Sequence, residues 1–255
     1  MCQKNRKMFH SLGGGWSKSG FLLIAFITVM ILYIVNREND MRHSYKVVFK
    51  NAEMSNYNDK WKFAESNSDY WILETQFMTR YSYPTDVIFV GDSITYRCQW
   101  NEIFPELDVK NRGIPSDTTE GVYARLDSII KTQPKKIFIM IGINDIAQHV
   151  EEKKILDNYC NIINKLSEKP DVKIYVQSIL PIGQNNEESI PVETIKKLNN
   201  SIKALCNDKE VKYVDLYPSF SDDEGYLLDQ YSADGIHINA EGYECWMNII
   251  KDYVY

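Results

Sequence analysis

Four stretches of the chain are almost continuously apolar: "DVIFV" at 86–90, "KIFIMIG" at 136–142, "VKIYVQS" at 172–178 and "VKYVDLY" at 211–217. "LDVKN" at 107–111 is a weaker fifth. Between them apolar positions recur at helical spacing. "TTEGVYARLDSIIKT" places Val122, Leu126, Ile129 and Ile130 on one face. "EEKKILDNYCNIINKL" does so with Ile155, Leu156, Ile162, Ile163 and Leu166, and "VETIKKLNNSIKALC" with Ile195, Leu198, Ile202 and Leu205. A last helix is expected over 239–252. Short apolar runs without alternation are strands buried on both faces. Strands that alternate with helices build a parallel sheet. The pattern therefore predicts an α/β domain with five strands, doubly wound. Upstream, residues 57–80 are rich in aromatic and charged residues and read as helical, and "YKVVFK" is a candidate strand within a stem.

One run departs from this pattern. "FLLIAFITVMILYIV" at 21–35 has no charge and no polar face. With its flanks it gives about 18 residues, or roughly 27 Å of helix, enough to span a bilayer with snorkelling ends. A buried core helix would show a polar side, and a cleaved signal would need small residues that "YIVNREND" lacks. Lys4, Arg6, Lys7 and Lys18 precede the run, whereas Glu38 and Asp40 offset Arg37 and Arg42 after it. The positive-inside rule then keeps the N-terminus in the cytoplasm. The expected organisation is a cytoplasmic tail over 1–18, a transmembrane signal anchor over 19–36, a stem with a lead-in strand and helix over 37–83, and an extracytoplasmic α/β domain over 84–255.

Charge follows the same division. Residues 1–42 hold six basic and two acidic residues of the chain's 29 and 35, which leaves 43–255 with 23 and 33, a net of −10. So acidic a domain is a poor partner for nucleic acid, whose phosphates reward a basic surface. Cys2, Cys98, Cys160, Cys206 and Cys245 form no CxxC pair, so zinc has no support. An exported domain permits disulfides among the last four, and four buried thiols is the equal alternative. No phosphate-binding glycine loop is present either.

In doubly wound sheets ligands bind beyond the carboxyl ends of the strands. Gly91-Asp92-Ser93 follows the first apolar run, Gly113 the second, Asn144 the third, and Asp234 and His237 lie in the loop after the last. Gly-Asp-Ser alone is as readily a turn as a nucleophile site. A catalytic serine also needs a base and an oxyanion hole. Of the four histidines, His10 precedes the apolar run and His43 lies in the stem, whereas His237 follows the last strand with Asp234 three residues earlier, which on a tight turn would hold Nδ1–H and leave Nε2 to take the serine proton. His149 lacks such a partner. Gly113 offers an N–H that can be approached closely. Asn144 offers an uncharged amide, and the Ser93 N–H would be a third donor. Asp92 and Asp145 read as acceptors that hold their own turns.

Taken together, Ser93 in Gly-Asp-Ser-Ile, Gly113 in Asn-Arg-Gly, Asn144 in Gly-x-Asn-Asp and His237 in Asp-Gly-x-His resemble the four ordered blocks of the SGNH (GDSL) hydrolases. The resemblance covers about 84–250. It includes Asp117-Thr118-Thr119, "QSILP" at 177–181 and "GYECW" at 242–246. Pro115-Ser116 departs from it, because relatives often carry glycines there. The resemblance implies a flavodoxin-like three-layer α/β/α sandwich, no metal or cofactor, and ester hydrolysis through Ser93, His237 and Asp234. The oxyanion hole would be Ser93 N–H, Gly113 N–H and the Asn144 side chain. Acetyl esters of carbohydrates are the expected substrates. Relatives also include platelet-activating-factor acetylhydrolase-like enzymes and lysophospholipases. An O-acyltransferase using the same triad and a non-catalytic glycan-binding module are the other readings. The partners are then an ester substrate and the membrane, with oligomeric state left open.

Overall fold

A computed structural model describes residues 69–169 and 171–255. The expected anchor, tail and candidate stem strand lie outside the described residues. Among the described residues no helix is long and apolar enough to cross a membrane.

Five strands form one sheet: β1 Val87–Gly91, β2 Val109–Gly113, β3 Lys136–Met140, β4 Lys173–Gln177 and β5 Lys212–Val214. Their order is β2-β1-β3-β4-β5, and all neighbours run parallel. This is the flavodoxin-like strand order. The helices are α1 Asp69–Arg80, α2 Ser93–Tyr96, α3 Trp100–Ile103, α4 Thr119–Ala124, α5 Leu126–Ile130, α6 Ile143–Ala147, α7 Glu152–Ser167, α8 Val192–Asp208, α9 Tyr217–Phe220 and α10 Ala240–Val254.

The two faces of the sheet carry separate cores, as the period-two alternation of strands requires. On one face Ile88, Val90, Ile137, Ile139 and Val176 pack with Val122, Ile129, Ile155, Ile162, Ile195 and Ile202 of α4, α5, α7 and α8. On the other, Val87, Phe89, Phe138, Met140 and Val214 pack with Ile94, Trp100, Trp246 and Ile250 of α2, α3 and α10. Phe89 stacks on Trp100 with ring centroids 3.6 Å apart, and Trp246 meets Trp100 edge-on at 5.0 Å. Both faces being covered explains why the strands lack alternation. The layers are thus helices, sheet, helices.

Several boundaries differ from the sequence reading. β2 runs over Val109–Gly113 rather than 107–111, so Gly113 ends the strand instead of following it. As the edge strand it is only half-buried up to Gly113, which weakens its apolar signature. β5 stops at Val214, because the Leu216 and Tyr217 N–H groups turn away to donate to Ser178 Oγ at 2.8 and 2.9 Å. The helix expected across 118–132 is two helices that meet at Arg125, whose φ of −102° and ψ of 7° leave the α region. The lead-in helix is described over Asp69–Arg80. Cys98, Cys160, Cys206 and Cys245 are all free thiols. Only Cys98 and Cys206 are buried, so the four-buried-thiol reading holds for two of them. Burial pushes the Cys206 thiol up to about 12.

Candidate active site

The carboxyl ends of β1, β2 and β3 bring the nucleophile candidate and its neighbours together. At Gly91 the chain leaves β1 so tightly that a Cβ would overlap the Thr95 hydroxyl and the Met140 carbonyl. Asp92 then caps α2, its Oδ1 accepting from Ile94 N at 2.9 Å. Asp92 is 2% exposed. Burial pushes its carboxyl up to about 7, outweighing the Ile94 N–H that favours the charged form; Asp117 and Asp145 nearby push it further.

Ser93 is the first residue of α2, so its N–H has no partner within the helix. The helix is one turn long, and its dipole is correspondingly small. Side chains from elsewhere satisfy its carbonyls. Asn111 Nδ2 donates to Thr95 O, Tyr96 O and Cys98 O at 3.1, 2.8 and 3.1 Å. Tyr243 OH donates to Ile94 O at 2.7 Å, and Trp100 Nε1 to Thr95 O at 3.0 Å.

Ser93 Oγ lies 3.0 Å from His237 Nε2, and His237 Nδ1 lies 2.7 Å from Asp234 Oδ2. An ionised carboxylate only accepts, so the proton of that pair sits on Nδ1 and the Nε2 lone pair faces Ser93. Asp234 Oδ1 also accepts from the Ile236 and His237 N–H groups at 2.9 and 2.7 Å. Partial burial pushes the Asp234 carboxyl up, but the His237 ring and these two N–H groups outweigh it and hold it well below the usual carboxylate range. The turn closes through Gly235 at φ +75°, with Gly235 N donating to Ser232 Oγ at 2.8 Å and Ser232 Oγ donating to His237 O at 2.8 Å. A segment after β4 ties the turn down: Gly183 N donates to Gly235 O at 2.7 Å and Asn186 Nδ2 to Asp234 O at 3.0 Å. His149 is exposed in the loop after α6; the ring on Ser93 is that of His237.

The expected oxyanion donors are placed less simply. Gly113 packs against α2, where a Cβ would overlap Tyr96 N and fall 2.7 Å from Tyr96 Cα and 2.8 Å from Asp92 O. Its N–H, expected open, donates to Asn111 Oδ1 at 2.8 Å. Asn144 is not in a loop but in α6, after Gly142 at φ +126°. One Nδ2 hydrogen goes to Asp117 O at 2.8 Å, leaving the other for a ligand. Asp145 reaches beyond its own turn, where its own N–H is one donor to its carboxyl. It accepts from Thr119 N and Thr119 Oγ1 at 3.0 and 2.6 Å, tying α6 to α4. Among the described residues no His/Cys/Asp/Glu group could hold a metal ion.

The sequence patterns framing the blocks are buried stitches. Gln177 Oε1 accepts from Trp246 Nε1 at 2.6 Å, joining "QSILP" to "GYECW". Asn199 closes two bonds on Ile179, both 2.8 Å. Sequence reasoning missed Asn111, Arg125, Asn186 and Ser232. Arg125 did leave a signal: it stands three residues after Val122 and four before Ile129, a charge on the apolar face of its helix pattern.

The family model for the GDSL-like lipase/acylhydrolase family matches residues 89–245, more than half of the chain. The chain belongs to that family. It is therefore a GDSL-type carboxylic ester hydrolase by kind. Among curated proteins, this hydrolase is 30% identical over 169 residues to platelet-activating factor acetylhydrolase IB subunit alpha2 of Rattus norvegicus, covering 62% of this chain and 71% of that one. It is 28% identical over 171 residues to the alpha1 subunit of the same organism, covering 62% and 70%. Among solved structures, a GDSL-like lipase from Bacteroides thetaiotaomicron superposes with a TM-score of 0.64 at 23% identity, covering 72% of this chain and 96% of that one. An acetylxylan esterase from Geobacillus stearothermophilus gives 0.56 at 19%, covering 68% and 94%. At those identities the two structures speak to the fold.

Proposed function

We propose that this hydrolase is a membrane-anchored, extracytoplasmic serine esterase that removes an acetyl group from a carbohydrate ester. The observation that carries the mechanism is the unbroken chain Ser93 Oγ, His237, Asp234, at 3.0 and 2.7 Å. His237 Nε2 takes the Ser93 proton as Oγ attacks the ester carbonyl, whose π electrons move onto oxygen. That oxyanion meets Ser93 N–H and the open Asn144 hydrogen, with Gly113 N–H shared between it and Asn111. The alkoxy bond then breaks and His237 protonates the leaving alcohol. A water, deprotonated by the same ring, attacks the acyl-serine; the C–Oγ bond breaks, Ser93 regains its proton, and the acid leaves. Asp234 stabilises the imidazolium in both halves.

The acetyl group is the feature shared by the names of the curated relatives and the xylan esterase. The carbohydrate alcohol and the anchor rest on the apolar run at 21–35 with its basic N-terminal flank, which would hold the domain outside the membrane. A platelet-activating-factor-like acetyl ester is the second reading, favoured by the curated relatives. The test is acetate release by the full chain in detergent from an acetylated xylo-oligosaccharide, from platelet-activating factor and from an acetyl nitrophenyl ester. Ser93→Ala and His237→Ala should each lower turnover by about three orders of magnitude or more, and Asp234→Asn by a smaller factor through the wrong tautomer. Near-wild-type turnover in Ser93→Ala sinks the mechanism. Release from platelet-activating factor with none from the oligosaccharide moves the substrate to the second reading. Capture of the acyl group by added sugar alcohols in place of water makes the enzyme a transferase.

A further inference from the structure

Behind the nucleophile lies a buried cation that the mechanism above does not use. The Arg125 side chain is 2% exposed and that of Asp117 0%, with Nε donating to Asp117 Oδ2 at 2.8 Å. One terminal nitrogen of the guanidinium donates to two main-chain carbonyls, Gly91 O at 3.2 Å and Arg112 O at 2.8 Å. The other faces Met78 Sδ at 3.8 Å. Each end of the ion pair thus reaches a different oxyanion donor. Arg112 O belongs to the same peptide group as Gly113 N–H. Asp117 O accepts from Asn144 Nδ2. Gly91 O belongs to the peptide that enters the Asp92-Ser93 turn.

We propose that Arg125, paired with Asp117, is the positioning residue of the oxyanion site: one guanidinium and its carboxylate partner orient the Gly113 peptide, the Asn144 amide and the entry to Ser93. A charge-assisted bond to the Arg112 carbonyl also polarises that peptide and strengthens its N–H as a donor. This matters because Gly113 N–H already serves Asn111 and must support a second acceptor in the transition state. A lysine could keep the pair with Asp117 but lacks the planar fork that reaches a carboxylate and two carbonyls at once. If the pair served only to fill space or hold α4 against the sheet, lysine would leave the chemistry intact.

The inference rests on the serine-esterase reading, and the experiment separates the two. Wild type, Ser93→Ala and Arg125→Lys, each as the full chain in detergent, are compared on the acetyl nitrophenyl ester. Four readouts are taken: kcat, KM, the acidic-limb midpoint of the pH profile, and affinity for an alkyl trifluoromethyl ketone, whose serine adduct carries the oxyanion. Arg125→Lys should lower kcat about tenfold or more, as loss of an oxyanion donor does, and weaken the ketone in proportion. KM and the pH midpoint, which report ground-state binding and His237, should stay at wild-type values. Wild-type kcat and ketone affinity in Arg125→Lys would overturn the proposal, as would a fall in kcat shared by KM and the midpoint. Should Arg125→Lys fail to fold, the charge-neutral pair Asp117→Asn with Arg125→Gln is read by the same criteria. If Ser93→Ala matches wild type, the esterase reading has failed; if Ser93→Ala is inert and Arg125→Lys is unchanged, only the positioning role has failed.

Discussion

Asp92 sits beside the nucleophile, yet burial holds its proton near neutrality, and this makes its cost measurable. Its carboxyl is 2% exposed and pushed up to about 7. In the unfolded chain it returns to about 3.9. Between those values the folded protein retains a proton that the unfolded chain has lost, so stability falls as pH rises through the window. Above it the loss is complete. About three pH units at 1.36 kcal/mol each give a penalty on the order of 4 kcal/mol at pH 8. Asp92→Asn removes the titration and keeps an Oδ1 that can still cap Ile94. The variant should match wild type near pH 4 and exceed its stability by on the order of 4 kcal/mol at pH 8. Urea unfolding of both proteins at the two pH values measures this, and taking the difference between proteins cancels the other titrating groups. A gap between the two proteins that is the same at both pH values would refute the reasoning. Because Asp92 transfers nothing in the proposed reaction and is already about half protonated at pH 7, Asp92→Asn should also retain ester turnover at that pH.

Two further substitutions probe the backbone around the site. Gly113→Ala must push β2 away from α2, because its Cβ meets main-chain atoms of Tyr96 and Asp92. We expect a loss of about 1–3 kcal/mol in urea unfolding together with a fall in kcat, and unchanged stability would contradict the close approach. Ser116 is exposed but has φ +62°. Ser116→Val should therefore cost about 1–2 kcal/mol where a surface change usually costs little, whereas Ser116→Gly and Ser116→Asn should not; equal melting temperatures for all three would be the contrary result.

Much of the fold was legible because its sheet is buried on both faces, which writes each strand as an apolar run. β1, β3 and β4 were found within a residue or two. β2 slipped by two residues because an edge strand needs less apolar surface, and Arg112 and Gly113 at its end look like loop residues. β5 was overextended because Leu216 and Tyr217 continue the apolar pattern after their N–H groups have turned to Ser178 Oγ. Ser93, Asp234 and His237 could be singled out because the chain has only four histidines, and His237 lies in a strand-end loop with Asp234 three residues before it. Arg125 and Asp117 could not be paired, since the link depends on the break between α4 and α5. The engagement of Gly113 N–H by Asn111 is likewise a tertiary fact. Nothing local in the sequence marks Ser116 as the holder of a positive φ, a conformation that glycine adopts freely.

The two halves of the site hang from different parts of the sheet. Ser93, Gly113 and Asn144 are carried by β1, β2 and β3, whereas the Asp234–His237 turn is tied through Gly183 and Asn186 to the segment after β4. On the proposed mechanism an ester at Ser93 would straddle these two supports, which Tyr243 of α10 joins through its bond to Ile94 O. Length changes in the stretch from Gln184 to Ile190 would shift the base relative to a nucleophile that stays put. Descent could use that freedom to retune proton transfer, or the width of the acyl slot, without disturbing the turn that aims the serine.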